Sequence, residues 1–113
     1  MHELSIVEAL MSTVLEKAEE AKATKVLRVY VVIGELSGVI DDAVEFYFGF
    51  LGKDTIAANA EVFIQHPPTL VRCRECGTEY TPENLNLTCP KCKERKIEII
   101  SGRELYIDSV EVE

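Results

Sequence analysis

Tryptophan is absent from these 113 residues, histidine occurs twice, and lysine with arginine only 12 times against 20 aspartates and glutamates. A net charge of -8 argues against a general binder of nucleic acid or anionic membrane. The four phenylalanines and four tyrosines form no series suited to stacking bases. Two histidines without a defined partner do not make a nucleophile and base set, so no enzymatic site is read. No apolar run approaches the roughly 20 residues of a membrane-spanning helix. The first residues lack a basic segment and Glu8 interrupts their apolar run, so no secretory signal is expected. The cytoplasm is the expected compartment, where thiols stay reduced and available to metal. No internal repeat or low-complexity tract is present.

Cysteine is scarce but concentrated. All four fall in Cys73-Arg74-Glu75-Cys76 and, after twelve intervening residues, Cys89-Pro90-Lys91-Cys92. Each pair can present both sulfurs to one ion from a tight turn, which predicts a tetrahedral four-cysteine zinc site over two disulfides or four free thiols. Gly77 suits the turn after the first pair because glycine adopts positive φ without a Cβ clash. Arg72, Arg74, Lys91, Lys93, Arg95 and Lys96 flank the sulfurs, and cations favour the thiolate that binds metal. Charge is uneven along the chain. Residues 1–72 hold eleven acids and six bases, 73–96 four and five, and 97–113 five and one, so this segment is the basic island.

Along the chain, Leu4, Val7, Met11, Val14 and Ala18 recur at helical spacing over about residues 4 to 22. Ser5 and Glu8 fit a capping box, although a start at Glu3 suits the pattern equally. Lys25 to Ile33 reads as a buried strand ended by Gly34, and Glu35 to Ile40 as a loop. Asp41 or Asp42 can cap a second helix bearing Val44, Phe46, Tyr47, Phe48, Phe50 and Leu51, an aromatic cluster expected in the core. Glu61 to His66 alternates as a second strand that Pro67-Pro68 terminates, marking a stiff hinge. Ile97 to Ile100, a turn at Ser101-Gly102, and Glu104 to Val112 read as a hairpin, with a bulge near Asp108.

These elements predict an α+β fold: a small mixed three-stranded sheet with two helices, plus an inserted four-cysteine, zinc-ribbon-like module. The sheet and helices are expected from residues 1–68 and 97–113, and the module from 69–96. The first two strands should run parallel through a right-handed crossover, with the last closing the sheet.

A second ligand set is conceivable at Met1-His2-Glu3. The α-amine, the His2 amide and its imidazole can close fused chelate rings on one ion, and a planar nitrogen set suits Ni(II) or Cu(II). Any protein can begin this way, and on these residues alone a solvated terminal histidine is the simpler reading. His66 before the prolines reads more simply as a strand-end histidine than as a mobile ligand. Gly49 to Thr55 lacks the spacing of a phosphate loop, and Asp54 stands where Ser or Thr must follow Lys53.

Four motifs together carry a resemblance. Met1-His2-Glu3-Leu4-Ser5-Ile6, Ile33-Gly34-Glu35-Leu36-Ser37-Gly38-Val39, the two cysteine pairs, and Gly102-Arg103-Glu104-Leu105 resemble the HypA/HybF family of hydrogenase maturation factors, in order and over essentially the whole chain. The resemblance implies a nickel metallochaperone that holds Ni(II) through Met1, His2 and Glu3 and structural Zn(II) through Cys73, Cys76, Cys89 and Cys92. By that pattern the nickel nitrogens are the Met1 amine, the His2 amide and imidazole, and the Glu3 amide. The implied partners are a HypB-type nickel GTPase and the large subunit of [NiFe]-hydrogenase, with urease accessory proteins in some members, and neither nucleic acid nor membrane. A homodimer is compatible with the sequence. Two departures are visible: Ile40-Asp41-Asp42 replaces the proline and glutamate that open the second helix in many members, and Lys93 stands where glycine often follows the last cysteine. The first leaves Asp41 as an acid that could lie near the nickel end.

Overall fold

The computed structural model describes residues 3–83 and 86–113. Helix α1 runs Glu3–Glu20 and buries Val7, Leu10, Met11, Val14 and Ala18, the stripe that three- and four-residue spacing places on one face. Its described start at Glu3 puts Ser5 inside the helix, so the Ser5 capping box does not form. Glu3 instead places a carboxylate in the first turn, where the helix dipole favours it. The helix ends with Lys22 at φ 56°, while the Lys22 amide donates to Glu19 O and the Ala23 amide to Ala18 O, the bonding of a left-handed C-terminal cap.

Strand β1 (Val26–Ile33) is the centre of the first sheet, and five of its eight residues are valine or isoleucine because both of its edges and its helix-facing side are covered. Helix α2 (Asp41–Gly52) follows the short 3-10 turn Glu35–Ser37 and leads into β2 (Glu61–Gln65), which lies parallel to β1 with Arg28 opposite Glu61 and Val32 opposite Gln65. The last strand pairs antiparallel with β1 on its other edge and shifts register across Tyr30/Val31, where Asp108 is the extra residue opposite. The bulge expected near Asp108 is therefore present. Val7, Val14, Val29, Val31, Ile33, Val44 and Phe48 form the core between this sheet and the two helices.

The aromatic cluster of α2 divides, against the expectation of a common core. Phe48 is 2% exposed, whereas Phe46 and Phe50 are 68% and 57% exposed. Phenylalanines at every second position cannot share one face of a helix with a 3.6-residue turn.

After the two prolines the chain builds a second sheet. Strand β3 (Leu70–Cys73), not expected from the sequence, is flanked by β4 (Glu79–Tyr80) and β5 (Ile97–Ser101), both antiparallel. The expected hairpin between Ile97–Ile100 and Glu104–Val112 does not form. Strand β5 pairs instead with β3, Val71 opposite Ile99 and Cys73 opposite Ile97, while β6 (Leu105–Val112) returns alone to β1. Strand β5 thus lies beside Val71, which is 1% exposed, while β6 packs its apolar residues against the core of the first sheet. Residues 97–101, read from sequence with the α/β part, are hydrogen-bonded into the cysteine-bearing sheet.

The chain crosses between the two sheets at 66–69 and at 102–104, and both crossings are tied to the turn after β1. The Gly34 amide donates to Glu104 O (2.8 Å), the Leu36 amide to Gly102 O (2.7 Å), and the Thr69 hydroxyl to Glu35 Oε2 (3.0 Å). A Cβ on Gly34 would overlap the Gly102 carbonyl, and Gly102 itself sits at φ 132°. The connection is braced by these bonds and is not a lone pair of prolines. The molecule is elongated, 55 × 25 × 17 Å with a radius of gyration of 17.6 Å, against about 13 Å for a single sphere-like domain of this length.

The split of the aromatics sets a clear test by urea unfolding. Phe48→Ala should destabilise by about 3–5 kcal/mol, while Phe46→Ala should fall within about 0.5 kcal/mol of the parent.

Candidate metal centre

Strand β3 delivers Cys73 as its last residue, and the chain then folds twice in the same way. In the first turn the Gly77 amide donates to Cys73 O (2.8 Å) and the Cys73 amide to Thr78 O (2.8 Å). In the second the Lys93 amide donates to Cys89 O (3.0 Å) and the Cys89 amide to Glu94 O (2.8 Å). The offsets are identical, so the two Cys-x-x-Cys segments are a repeated knuckle. The residue after each second cysteine has positive φ, 78° at Gly77 and 67° at Lys93. The departure from glycine noted in the sequence therefore falls at a left-handed position, and Lys93 occupies it with its side chain bonded to Pro90 O (3.2 Å).

The knuckles bring the four sulfurs within 4.8 Å of one another. Cys73 Sγ lies 3.5 Å from Cys92 Sγ, and Cys76 Sγ 3.6 Å from Cys89 Sγ. A tetrahedron with metal–sulfur bonds of about 2.3 Å has sulfurs about 3.8 Å apart, so this donor set fits a zinc-sized ion. Cys73 and Cys89 are buried, Cys92 is partly buried and Cys76 is exposed. All four are free thiols, not disulfides. The Tyr80 hydroxyl bonds Leu87 O at 2.8 Å and fastens β4 to the segment before the second knuckle.

The thiols are tuned by hydrogen bonds within the knuckles, by burial and by one another. The Thr78 hydroxyl and amide, both aimed at the sulfur, hold the Cys76 thiol down at about 6. The amides of Cys92 and Lys91 hold Cys89 below its ordinary value. Cys92 is pulled down by the Glu94 amide, but burial and the neighbouring sulfurs of Cys73, Cys76 and Cys89 push it up to about 12. Four adjacent sulfurs cannot all be anionic without a cation between them, so metal entry must expel protons. The flanking cations are less involved than their number suggested: Arg72 is paired with Glu79 and Glu98, and Lys96 with Glu75.

Met1 and His2 lie outside the described residues. Glu3 opens α1 and is partly buried. Because the turn at 21–25 reverses the chain into β1, the start of α1 lies at the same end of the sheet as Ile33 and the start of α2. His66 closes that end. Its Nδ1 is 2.9 Å from Ile33 O and its Nε2 2.7 Å from Asp41 Oδ2. Both partners only accept, so the imidazolium, with both ring nitrogens donating, is the form that satisfies both of them. The Asp41 carboxylate, then the Ile33 carbonyl, raise its pKa above the ordinary value, with a smaller push from Glu35 and against the effect of burial. His66 is a strap joining β1, α2 and the exit of β2, in keeping with the strand-end reading. The strand-end position is legible from Pro67-Pro68, whereas the acid and carbonyl that meet the ring come from distant residues.

Lys93→Gly should stabilise the folded protein by about 1 kcal/mol by relieving a left-handed non-glycine residue, and Gly77→Lys should lose a similar amount, both read as Tm shifts. His66 should titrate by NMR above the ordinary ~6.5, and Asp41→Asn should bring it down. A raised folded pKa means that the strap contributes fully below ~6.5 and loses its contribution as pH rises through the folded value. The stability gap between the parent and His66→Gln should accordingly be larger at acid pH than at alkaline pH.

Comparison with known proteins agrees with this architecture. Residues 1–112 match the family model described as "Hydrogenase/urease nickel incorporation, metallochaperone, hypA". A hydrogenase maturation factor HypA of Dehalococcoides mccartyi strain 195 is 45% identical over 113 residues, covering 100% of this chain and 95% of that protein. The HypA of Aquifex aeolicus is 37% identical over 113 residues, covering 100% and 98%. The solution structure of the Ni metallochaperone HypA from Helicobacter pylori superposes with a TM-score of 0.68 at 29% identity, covering 99% of this chain and 97% of that one. The chain belongs to the HypA family of hydrogenase and urease nickel-incorporation metallochaperones, maturation factors rather than enzymes.

Proposed function

We propose that this chain carries Ni(II) on Met1, His2 and Glu3 and holds Zn(II) on Cys73, Cys76, Cys89 and Cys92. It would then pass nickel, with a HypB-type GTPase, to the large subunit of a [NiFe]-hydrogenase in the cytoplasm. The observation that carries the reading is the family match over residues 1–112, which takes in the N-terminus, the joint motifs and the cysteines together. The match names urease beside hydrogenase, so urease accessory proteins stand as a second set of recipients.

The two metals have opposite requirements. Zinc in a four-thiolate cage of paired knuckles is closed and does not exchange. Nickel must be bound selectively and then given up, which a terminal chelate of amine, amide and imidazole nitrogens allows, because few side chains need move for release. We assign zinc the role of ordering the cysteine lobe, whose knuckle bases Arg74, Lys91 and Arg95 are exposed and able to meet an acidic partner surface. His66 and Asp41 serve as support for the end of the sheet from which α1 starts.

Calorimetric and visible-absorption titration of zinc-loaded protein with Ni(II) tests the site. One equivalent should bind with the d–d band of a planar complex, and a variant carrying one additional residue before Met1 should lose it. Affinity should fall by well over tenfold between pH ~7.5 and ~6.5, since the α-amine, the His2 imidazole and the coordinated amide nitrogens must all shed protons. Equal binding by the extended variant would place nickel elsewhere.

A further inference from the structure

The first sheet has two edges, β2 and β6, and they are not equivalent. The β6 edge is interrupted by the Asp108 bulge, a device that discourages pairing with another strand. The β2 edge has no such protection: its five residues keep unbroken register with β1 and include neither proline nor lysine. Only its shortness limits it.

A groove of about 190 Å³ runs beside this edge, between α2 and β2, lined by Glu45, Phe48, Gly49, Ala58, Ala60 and Val62. Gly49 leaves it open, because a Cβ there would meet nothing within 4 Å. Helix α2 bears the most exposed phenylalanine of the described residues, Phe46 at 68%, with Phe50 one turn on, and Phe63 of β2 is 41% exposed on the strand itself. An open ladder of backbone donors and acceptors and a side-chain groove next to it are the parts by which a protein accepts an added strand.

We propose that the β2 edge and the α2 groove take up an extended segment of a partner protein as a fourth strand, a segment in which aliphatic and basic residues alternate. The alternation follows from the site. One side chain in two points into the groove, whose volume and alanine lining suit valine or leucine rather than a large ring. The intervening positions lie on the face of the exposed carboxylate Glu61, on a chain of net charge -8, with Glu45 at the groove itself, and this acidic setting favours lysine or arginine there. A second copy of the chain is disfavoured as occupant, because its β2 brings Glu61 rather than a cation to the same edge. The proposal does not depend on nickel.

The test uses the full chain, nickel-free, labelled for NMR and titrated with a blocked hexapeptide of alternating lysine and valine. Saturable shifts should concentrate on Glu61–Gln65 and on α2 near Gly49, and a glutamate–valine peptide should produce none. Gly49→Leu, whose Cβ would meet nothing within 4 Å and whose side chain would occupy the groove, should weaken binding by about tenfold or more while its Tm does not fall below that of the parent. Shifts spread over the acids of α1 and β6, or binding indifferent to Gly49→Leu, would overturn the proposal as mere charge attraction. Concentration-dependent self-association through Glu61–Gln65 without peptide would overturn it in favour of a second copy.

Discussion

The close approach of Gly34 to the Gly102 carbonyl governs how the two sheets sit together. With no Cβ at either residue, the turn after β1 comes near enough for the amides of Gly34 and Leu36 to bond the returning chain at Glu104 and Gly102. The Glu104 carboxylate then accepts from the Gly102 amide (2.6 Å), and Glu35 accepts from the buried Thr69 on the outgoing crossing. Two motifs far apart in sequence, Ile33 to Val39 and Gly102 to Leu105, are thereby one structural object. Their function is to set the cysteine lobe at a fixed place beyond the end of β1, at the same end where α1 begins.

The knuckles were legible in sequence because they are local. Four residues between and including each cysteine pair, plus the one after it, determine their own hydrogen bonds, and Gly77 announces its left-handed backbone. Lys93 was visible as a departure but its meaning was not, since only the repeated geometry shows that it occupies the counterpart of Gly77. The mixed β2-β1-β6 sheet was equally legible from periodicity and from the bulge at Asp108. Pairing of β5 was not, because Ile97–Ser101 has apolar residues acceptable to either sheet, and the choice depends on β3, a strand of four residues directly after two prolines. The positions of Phe46 and Phe50 were hidden for a similar reason: composition signals a core, while helix phase decides which rings reach it.

Electrostatics follow the same division between local and distant causes. Bases near the cysteines suggested that cations stabilise the thiolates, yet the groups that lower Cys76 and Cys89 are amides and a hydroxyl of the knuckles themselves. Arg72 and Lys96 are engaged by carboxylates across the second sheet and beside the first knuckle. A cage organised by its backbone is suited to permanent metal. The proposed cargo site has the contrary character, a few nitrogen donors ahead of a helix whose first described residue is Glu3, next to an end of the sheet strapped by His66 and Asp41.

Nickel K-edge X-ray absorption on protein carrying one zinc and one nickel tests this separation of cage and cargo most directly. The account predicts a planar shell of nitrogen or oxygen donors around nickel with no sulfur in it. A sulfur shell would contradict it, because nickel would then be held by the cysteine knuckles and the N-terminal residues would not be its carrier.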